Sequence, residues 1–536
     1  MSLRLHCLLA ASTLLCACQL SGPPVARISF SPSLSNATHR WPVVLDGSQS
    51  SDPEGAALTF AWSFISRPSG SHAVLLEPAS ARPSFKADQK GDYKVQLVVS
   101  DGLSWSEPAT AIVRIENQRP QADSDMGLEA GVVGTPFTFS GHGWDWDSGP
   151  INDSLTYSWT LTQRPPGSTA VLTGADTATP SLTPDVEGEY RLAFVVGDGL
   201  ETSPSVTVTL AAHRPIQLLG HRVADAGYSK ALDRLVMVSE FPNALYVYDP
   251  ATRTETAVAL PKAPLSVSIG PDGRFAAVGH EALVSYVDLA TPRLLKTLPV
   301  SANSFELVLA GNGYAYAFPG GGQGEQPARI HSIHLATGTV TLNDGPSIVA
   351  GNRVRLHPGG TALYAAERWT DPNGLEKYDI SGGTAQVLYD SPSATESPPC
   401  GDLWFSEEGD RIFTRCGNTF RASSIRSEDM RYVGVLPSAG NIRHLSHSTA
   451  AGRIALVLDP EDPNVPPMPV QTQVHLFRPD LTFDRSVPLP PFVRRGRAYA
   501  GLGRFVFFTS AGDKLVVLLQ APLESAMLND YGIITY

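Results

Sequence analysis

Residues 60–103 and 157–200 are two copies of one sequence at a constant offset of 97. Trp62 matches Trp159, Arg67-Pro68 matches Arg164-Pro165, and Ala73-Val74-Leu75 matches Ala170-Val171-Leu172. Asp88, Gly91 and Tyr93 match Asp185, Gly188 and Tyr190, and Asp101-Gly102-Leu103 matches Asp198-Gly199-Leu200. Upstream the offset falls to 94, where Pro42 and Gly47 meet Pro136 and Gly141, so the second copy carries a longer loop. An ungapped run of this length marks a duplicated domain. Each copy alternates apolar and polar residues in short stretches, as in Tyr93–Val99, and bounds them with Gly, Pro and Asp. That is the rhythm of strands and turns in a sandwich, with the lone Trp on a middle strand as core anchor.

From about residue 215 the rhythm changes to strand, turn, strand, strand, strand. Turn landmarks recur at Asp233, Gly273, Gly313, Gly360, Gly409, Gly452 and Gly503. Their spacing approximates the ~40–45 residues of a four-stranded propeller blade, so seven blades are expected. The fold class read from the chain is all-β: two tandem Ig-like β-sandwiches (24–116 and 117–214), then a seven-bladed β-propeller (215–536). With 47 Gly and 44 Pro among 536 residues, the composition suits many turns and few long helices.

The first 18 residues read as an address. Arg4 precedes an apolar run from Leu5 to Ala17, too short to cross a bilayer as a helix. The segment ends Leu15-Cys16-Ala17-Cys18, which resembles the lipobox of bacterial lipoproteins. That resemblance implies cleavage before Cys18, its lipidation and attachment to the membrane. Gln19 in place of Asp favours the outer membrane. The expected location is therefore the bacterial cell envelope.

The repeat resembles the PKD (polycystic kidney disease) and REJ-like Ig-fold modules of bacterial surface proteins. The residues that carry it are Leu45-Asp46-Gly47-Ser48, Asp52-Pro53-Glu54-Gly55, Trp62, Gly91-Asp92-Tyr93 and Val99-Ser100-Asp101-Gly102. The second copy departs at Ser140 and at Trp144-Asp145-Trp146-Asp147-Ser148-Gly149. The resemblance implies a spacer or binding module. Phrases such as Tyr246-Val247-Tyr248-Asp249-Pro250-Ala251-Thr252 and His334-Leu335-Ala336-Thr337-Gly338 resemble YVTN-type, WD40-like propeller repeats.

The net charge of −12 argues against nucleic acid as a partner, since neutralising phosphates takes clustered Lys and Arg. The acidic loops holding Asp52, Glu54, Asp145, Asp147 and Asp153 present oxygen ligands suited to calcium as a cofactor; turn capping by Asp is the competing use. Cys400 and Cys416 fall symmetrically about Glu408, beside the expected turn of blade five. Export permits a disulfide between them, with Cα atoms about 4.5–5.5 Å apart if they pair directly across the hairpin.

Catalytic signatures such as Gly-x-Ser-x-Gly, His-Glu-x-x-His and a phosphate loop are absent from the sequence. His331/His334 and His444/His447 read as ordinary strand histidines, because residues three apart on a strand face opposite ways. The first strands, such as Ser266–Ile269 and Arg353–His357, suggest no set of groups converging on the axis. The recognition face is instead expected on long loops, with Glu240, Trp369, Asp371, Asp459, Glu461 and Asp462 as contacts. An aromatic face with carboxylates suits a glycan or a protein ligand. The chain is thus read as a membrane-anchored, non-enzymatic binding protein. The alternatives are a propeller enzyme (lactonase, lyase or redox) and a structural scaffold in an envelope complex.

Overall fold

The structure is a computed structural model that describes residues 22–31, 42–146, 154–320, 327–343, 348–366, 374–392, 398–438, 440–459 and 472–536. Cys18, Asp147, Asp153, Trp369, Asp371, Glu461 and Asp462 lie outside them, as does the whole 1–18 segment. Strands dominate the described residues, and helix is limited to one short 3-10 turn, Leu523–Ser525. No helix among them is long and apolar enough to cross a membrane. The chain divides into two compact units. One ends at Ala211; the other runs from Ala212 to Tyr536 and takes in Ala130–Val133.

The first unit holds both copies of the repeat. In the first copy, a sheet of Ser29–Ser31, Val43–Asp46, Ser84–Phe85 and Leu75–Leu76 accompanies a sheet of Thr59–Ser66, Gly91–Ser100 and Ala109–Ile115. Alternate residues of Gly91–Ser100 point inward, so Tyr93, Val95, Leu97 and Val99 are fully buried with Val43, Trp62, Phe85 and Val113. The second copy repeats the register: Trp62 pairs with Leu97 and Trp159 with Phe194, and each pairing shifts after Phe64 or Leu161. Both tryptophans are core anchors, but each lies on an edge strand of its sheet rather than a middle one.

The residues shared between copies serve one hydrogen-bond network. The Tyr93 hydroxyl lies 2.9 Å from the Gln89 carbonyl oxygen and that of Tyr190 lies 2.9 Å from that of Val186, each a tyrosine corner. Asp88 accepts from the Ser71 hydroxyl, and Asp185 from that of Ser168, both at 2.5 Å. The Ser168 hydroxyl and the Thr169 amide hold the Asp185 carboxyl well below the usual carboxylate range. Arg67 and Arg164 close the motif on the carbonyls of Ala73 and Ala170.

The second unit is a seven-bladed β-propeller. Four-stranded sheets form blade one (Asp225–Ser229, Arg234–Glu240, Asn243–Asp249, Thr254–Ala259), blade four (Arg353–Leu356 to Gln386–Asp390), blade five (Leu403–Phe405 to Tyr432–Val435) and blade six (Ile442–Ser448 to Phe483–Pro488). Blades two and three share one six-stranded sheet because Phe275–Asp288 and Arg293–Leu309 each serve as two strands in succession. Blade seven joins Leu502–Phe508, Leu515–Gln520 and Tyr531–Thr535 to Gln217–Leu218 from the start of the unit. That last pairing fastens the two ends of the ring together.

The ring is sealed by apolar seams, one between each neighbouring pair of blades. On Arg234–Glu240, Leu235 and Met237 face blade seven, where they pack near Phe507 and Val516. Val236 and Val238 face blade two and meet Ala276 and Val278. Period-two alternation thus buries both faces of each blade. The remaining seams follow the same rule. The approach is close at Gly279, where a Cβ would sit 2.5 Å from the Ser304 carbonyl oxygen of the next blade.

Six of the seven turn landmarks lie in the hairpin joining first to second strand; Gly503 does not. It lies within the first strand of blade seven, where a Cβ would meet Val457 Cγ1 at 2.6 Å. The turn is made by Gly512, with φ of +70°. An extra hairpin, Phe492–Arg494 with Arg497–Tyr499, precedes blade seven and displaces the landmark.

Candidate functional site

First strands line the axis of the ring, and their entry ends share one mouth with the turns that follow each second strand. A cavity of about 560 Å³ opens there. Its wall carries Asp225 from blade one, Glu306 from blade three, Arg353 and Arg355 from blade four, Asp402 from blade five and Arg443 from blade six. Arg415 and Asp459, just beyond second strands, complete the wall. This corrects the expectation that first strands bring no set of groups to the axis. Those of blades one, three, four, five and six contribute only one or two charged residues apiece, separated in sequence by a blade or more.

Arg353, Arg355 and Arg415 are each paired with a carboxylate of the wall. Glu306 is buried, and its two oxygens accept from Arg353 at 2.7 Å and Arg355 at 2.9 Å. Arg355 also reaches Asp402 at 3.1 Å, and Arg415 reaches Asp459 at 2.5 Å. Arg353 stacks over the Phe305 ring at 4.8 Å. Asp225 accepts from the backbone amides of Ala226 and Val267, each at 2.9 Å. Below this rim lies an aromatic girdle. His444 packs edge-on against Trp404, Phe505 and Phe507, and the two phenylalanines stack on each other. Burial, helped by Arg355, pushes His444 down to about 3, so its ring is neutral at ordinary pH. At the far end, Lys230 pairs with Glu407, and His447 accepts from the Glu407 amide. His444 and His447 both lie on the strand Ile442–Ser448 and both line the cavity.

Burial, with Glu306 close by, pushes the Asp225 carboxyl up to about 6. The folded protein then holds this proton more tightly than the unfolded chain. The stabilisation it provides is present in acid and lost as pH rises from about 4 to about 6. Asp225→Asn, which imitates the protonated form, is expected to raise the propeller's melting temperature at about pH 7.5 and to leave it unchanged near about pH 4. Equal melting temperatures for the two proteins at the higher pH would remove this account.

Of the residues expected on the recognition face, Asp459 lines the cavity. Glu240 does not; it is exposed, facing Asn243 across a two-residue turn. The other four lie outside the described residues. Asp52 serves its own turn, with Oδ1 accepting from the amides of Glu54 at 3.0 Å and Ala56 at 2.9 Å. Glu54 accepts from the Gly22 amide at 3.2 Å, and Asp145, in the other copy, is buried. Among the described residues no three His, Cys, Asp or Glu side chains gather as a metal site.

Cys400 and Cys416 form a disulfide with Cα atoms 5.9 Å apart. The hairpin register is one residue off the expectation: Leu403 pairs with Thr414 and Phe405 with Ile412, so the symmetry centre falls between Glu408 and Gly409. The cysteines lie beyond the strand ends and meet diagonally rather than directly opposite. The bridge brackets Asp402 and Arg415 and thereby sits under the cavity wall.

Residues 36–115 match a family model for a PKD domain, so the first sandwich is a PKD-like domain. Among solved structures the chain is similar to the hydrazine synthase of Kuenenia stuttgartiensis, at 15% identity over 59% of this chain and 95% of that one, with a TM-score of 0.41. It is also similar to the β-propeller domain of Cps50 (Swd1) of Myceliophteria thermophila, at 12% identity over 59% and 98%, with a TM-score of 0.44.

Proposed function

We propose that this chain is a non-enzymatic recognition protein of the bacterial cell envelope. Lipidated Cys18 tethers it, preferentially to the outer membrane. The two sandwiches, the second also read as PKD-like, act as spacer, and the YVTN-like propeller binds a glycan or a protein at the mouth of its channel. The observation that carries this reading is the cavity walled by side chains from successive blades, a shape and lining suited to a ligand. The test is a glycan and envelope-protein screen of the full chain beside an Arg415→Glu variant. Arg415→Glu sets two carboxylates against each other at Asp459, so binding at the mouth is expected to be lost. Binding that survives it overturns the assignment. Labelled palmitate entering the wild-type chain but not Cys18→Ser supports the tether; equal labelling overturns it.

A second reading, a propeller enzyme, draws on Asp225, Glu306, Asp402 and His444 meeting on the axis. Glu306 and Asp402 are neutralised by arginines, which leaves Asp225 as the carboxyl best placed for proton transfer. Turnover of a lactone or glycan substrate that Asp225→Asn abolishes would favour the enzyme.

A further inference from the structure

The mouth selects among ligand classes through its charge balance. Its described wall sets four carboxylates, Asp225, Glu306, Asp402 and Asp459, beside four guanidinium groups, Arg353, Arg355, Arg415 and Arg443. An incoming anion would bring an uncompensated negative charge beside four carboxylates in a confined space whose ion pairs are already made. An incoming cation would bring an uncompensated positive charge beside four guanidinium groups in the same way. A hydroxyl group avoids both penalties. It accepts from guanidinium N–H groups the ion pairs leave unused and donates to unused carboxylate lone pairs, with no change in net charge. Beneath this rim the partly exposed ring of Phe505, stacked on the buried Phe507, offers the apolar contact that the C–H face of a sugar ring needs. The volume of about 560 Å³ holds one or two such rings.

We propose that the channel mouth binds the neutral end of a saccharide, its hydroxyls bridging the arginine–carboxylate pairs and its ring lying toward Phe505. The proposal rests on the mouth being the recognition site. It names a ligand class within that reading.

The test is calorimetric titration of the full chain in detergent at about pH 7.5, where Asp225 is ionised. The probes are glucose-, galactose-, mannose- and N-acetylglucosamine-terminated tetrasaccharides, with glucuronate- and glucosamine-terminated counterparts. At least one neutral probe is expected to bind, and its charged counterparts at least about ten-fold more weakly. Asp225→Asn leaves one positive charge in excess and is expected to shift preference toward glucuronate. Arg353→Gln leaves one negative charge in excess and is expected to shift it toward glucosamine. Melting curves of both variants check that the ring is intact.

The proposal is overturned if no neutral probe binds, if glucuronate binds the wild type as tightly as a neutral probe, or if neither variant changes the preference. A glucuronate or envelope-protein ligand whose binding Arg415→Glu abolishes would overturn the neutral-saccharide class and leave recognition at the mouth standing. Ligand binding that none of the three variants alters would overturn both.

Discussion

Replacing Asp429 by Ala is expected to destabilise the propeller by about 3–5 kcal/mol, the largest single-residue effect argued for this chain. Asp429 has no exposed side-chain surface and sits in the segment between the third and fourth strands of blade five. Its carboxylate accepts from Lys377 at 2.7 Å, Tyr364 at 2.9 Å, Tyr389 at 3.0 Å and the Ser423 amide at 2.8 Å. The three side chains come from three successive strands of blade four, so the cluster pins two blades together beside an otherwise apolar seam. Burial and the nearby carboxylate push the Tyr364 hydroxyl well above its usual range, so it stays a donor. Removing the carboxylate leaves the Lys377 ammonium buried among neutral groups, the Ser423 carbonyl, the Tyr389 hydroxyl and the Tyr364 ring. The double variant Asp429→Leu/Lys377→Met removes both charges together and is expected to regain most of the loss. Urea unfolding of the three proteins decides the matter. A loss under about 1 kcal/mol for Asp429→Ala would mean the pair behaves as an exposed ion pair.

The sandwiches were legible because duplication places the same turn and core residues at one offset. Asp88, Tyr93 and Trp62 recur as Asp185, Tyr190 and Trp159, and each recurrence has a physical use in the tyrosine corner or the core. The blades were legible for a different reason. Hairpins such as the one at Gly273 place glycine at positive φ, and that requirement returns with every blade. It failed at Gly503 because the hairpin Phe492–Tyr499 stretches the period, and a glycine needed for close packing against Val457 stood near the expected place. The axial site was hidden. Glu306, Arg353 and Asp402 carry no local pattern, and only the packing of blade three against blade four brings Glu306 and Arg353 to 2.7 Å. The loops that looked rich in ligand groups contributed Asp459 through its salt bridge to Arg415, a partner 44 residues away that no spacing rule indicates.

Replacing both Cys400 and Cys416 by Ser is expected to cost about 3 kcal/mol of stability, the chain-entropy value for a loop of this size, and also to weaken binding at the mouth. The second effect follows from where the bridge lies. Cys400 and Cys416 are separated by 16 residues and close the open end of the first hairpin of blade five. The strands there are short, only Leu403–Phe405 and Arg411–Thr414, so little else holds their ends together. Inside the bridge the Arg415 amide donates to the carbonyls of Cys400 and Asp402, at 3.2 and 3.0 Å. The backbone carrying Asp402 is thereby fixed against the backbone carrying Arg415. One side chain reaches Arg355 across the blade-four seam and the other reaches Asp459 in blade six. Without the bridge, both ion pairs rest on side-chain geometry alone, and the wall between blades four and six loosens. Hydrogen exchange should therefore speed up at the Arg415 amide before it does at Ile412, which lies inside the strand pairing. If exchange at Arg415 is unchanged while stability falls, the bridge acts through the unfolded chain and has no part in shaping the mouth.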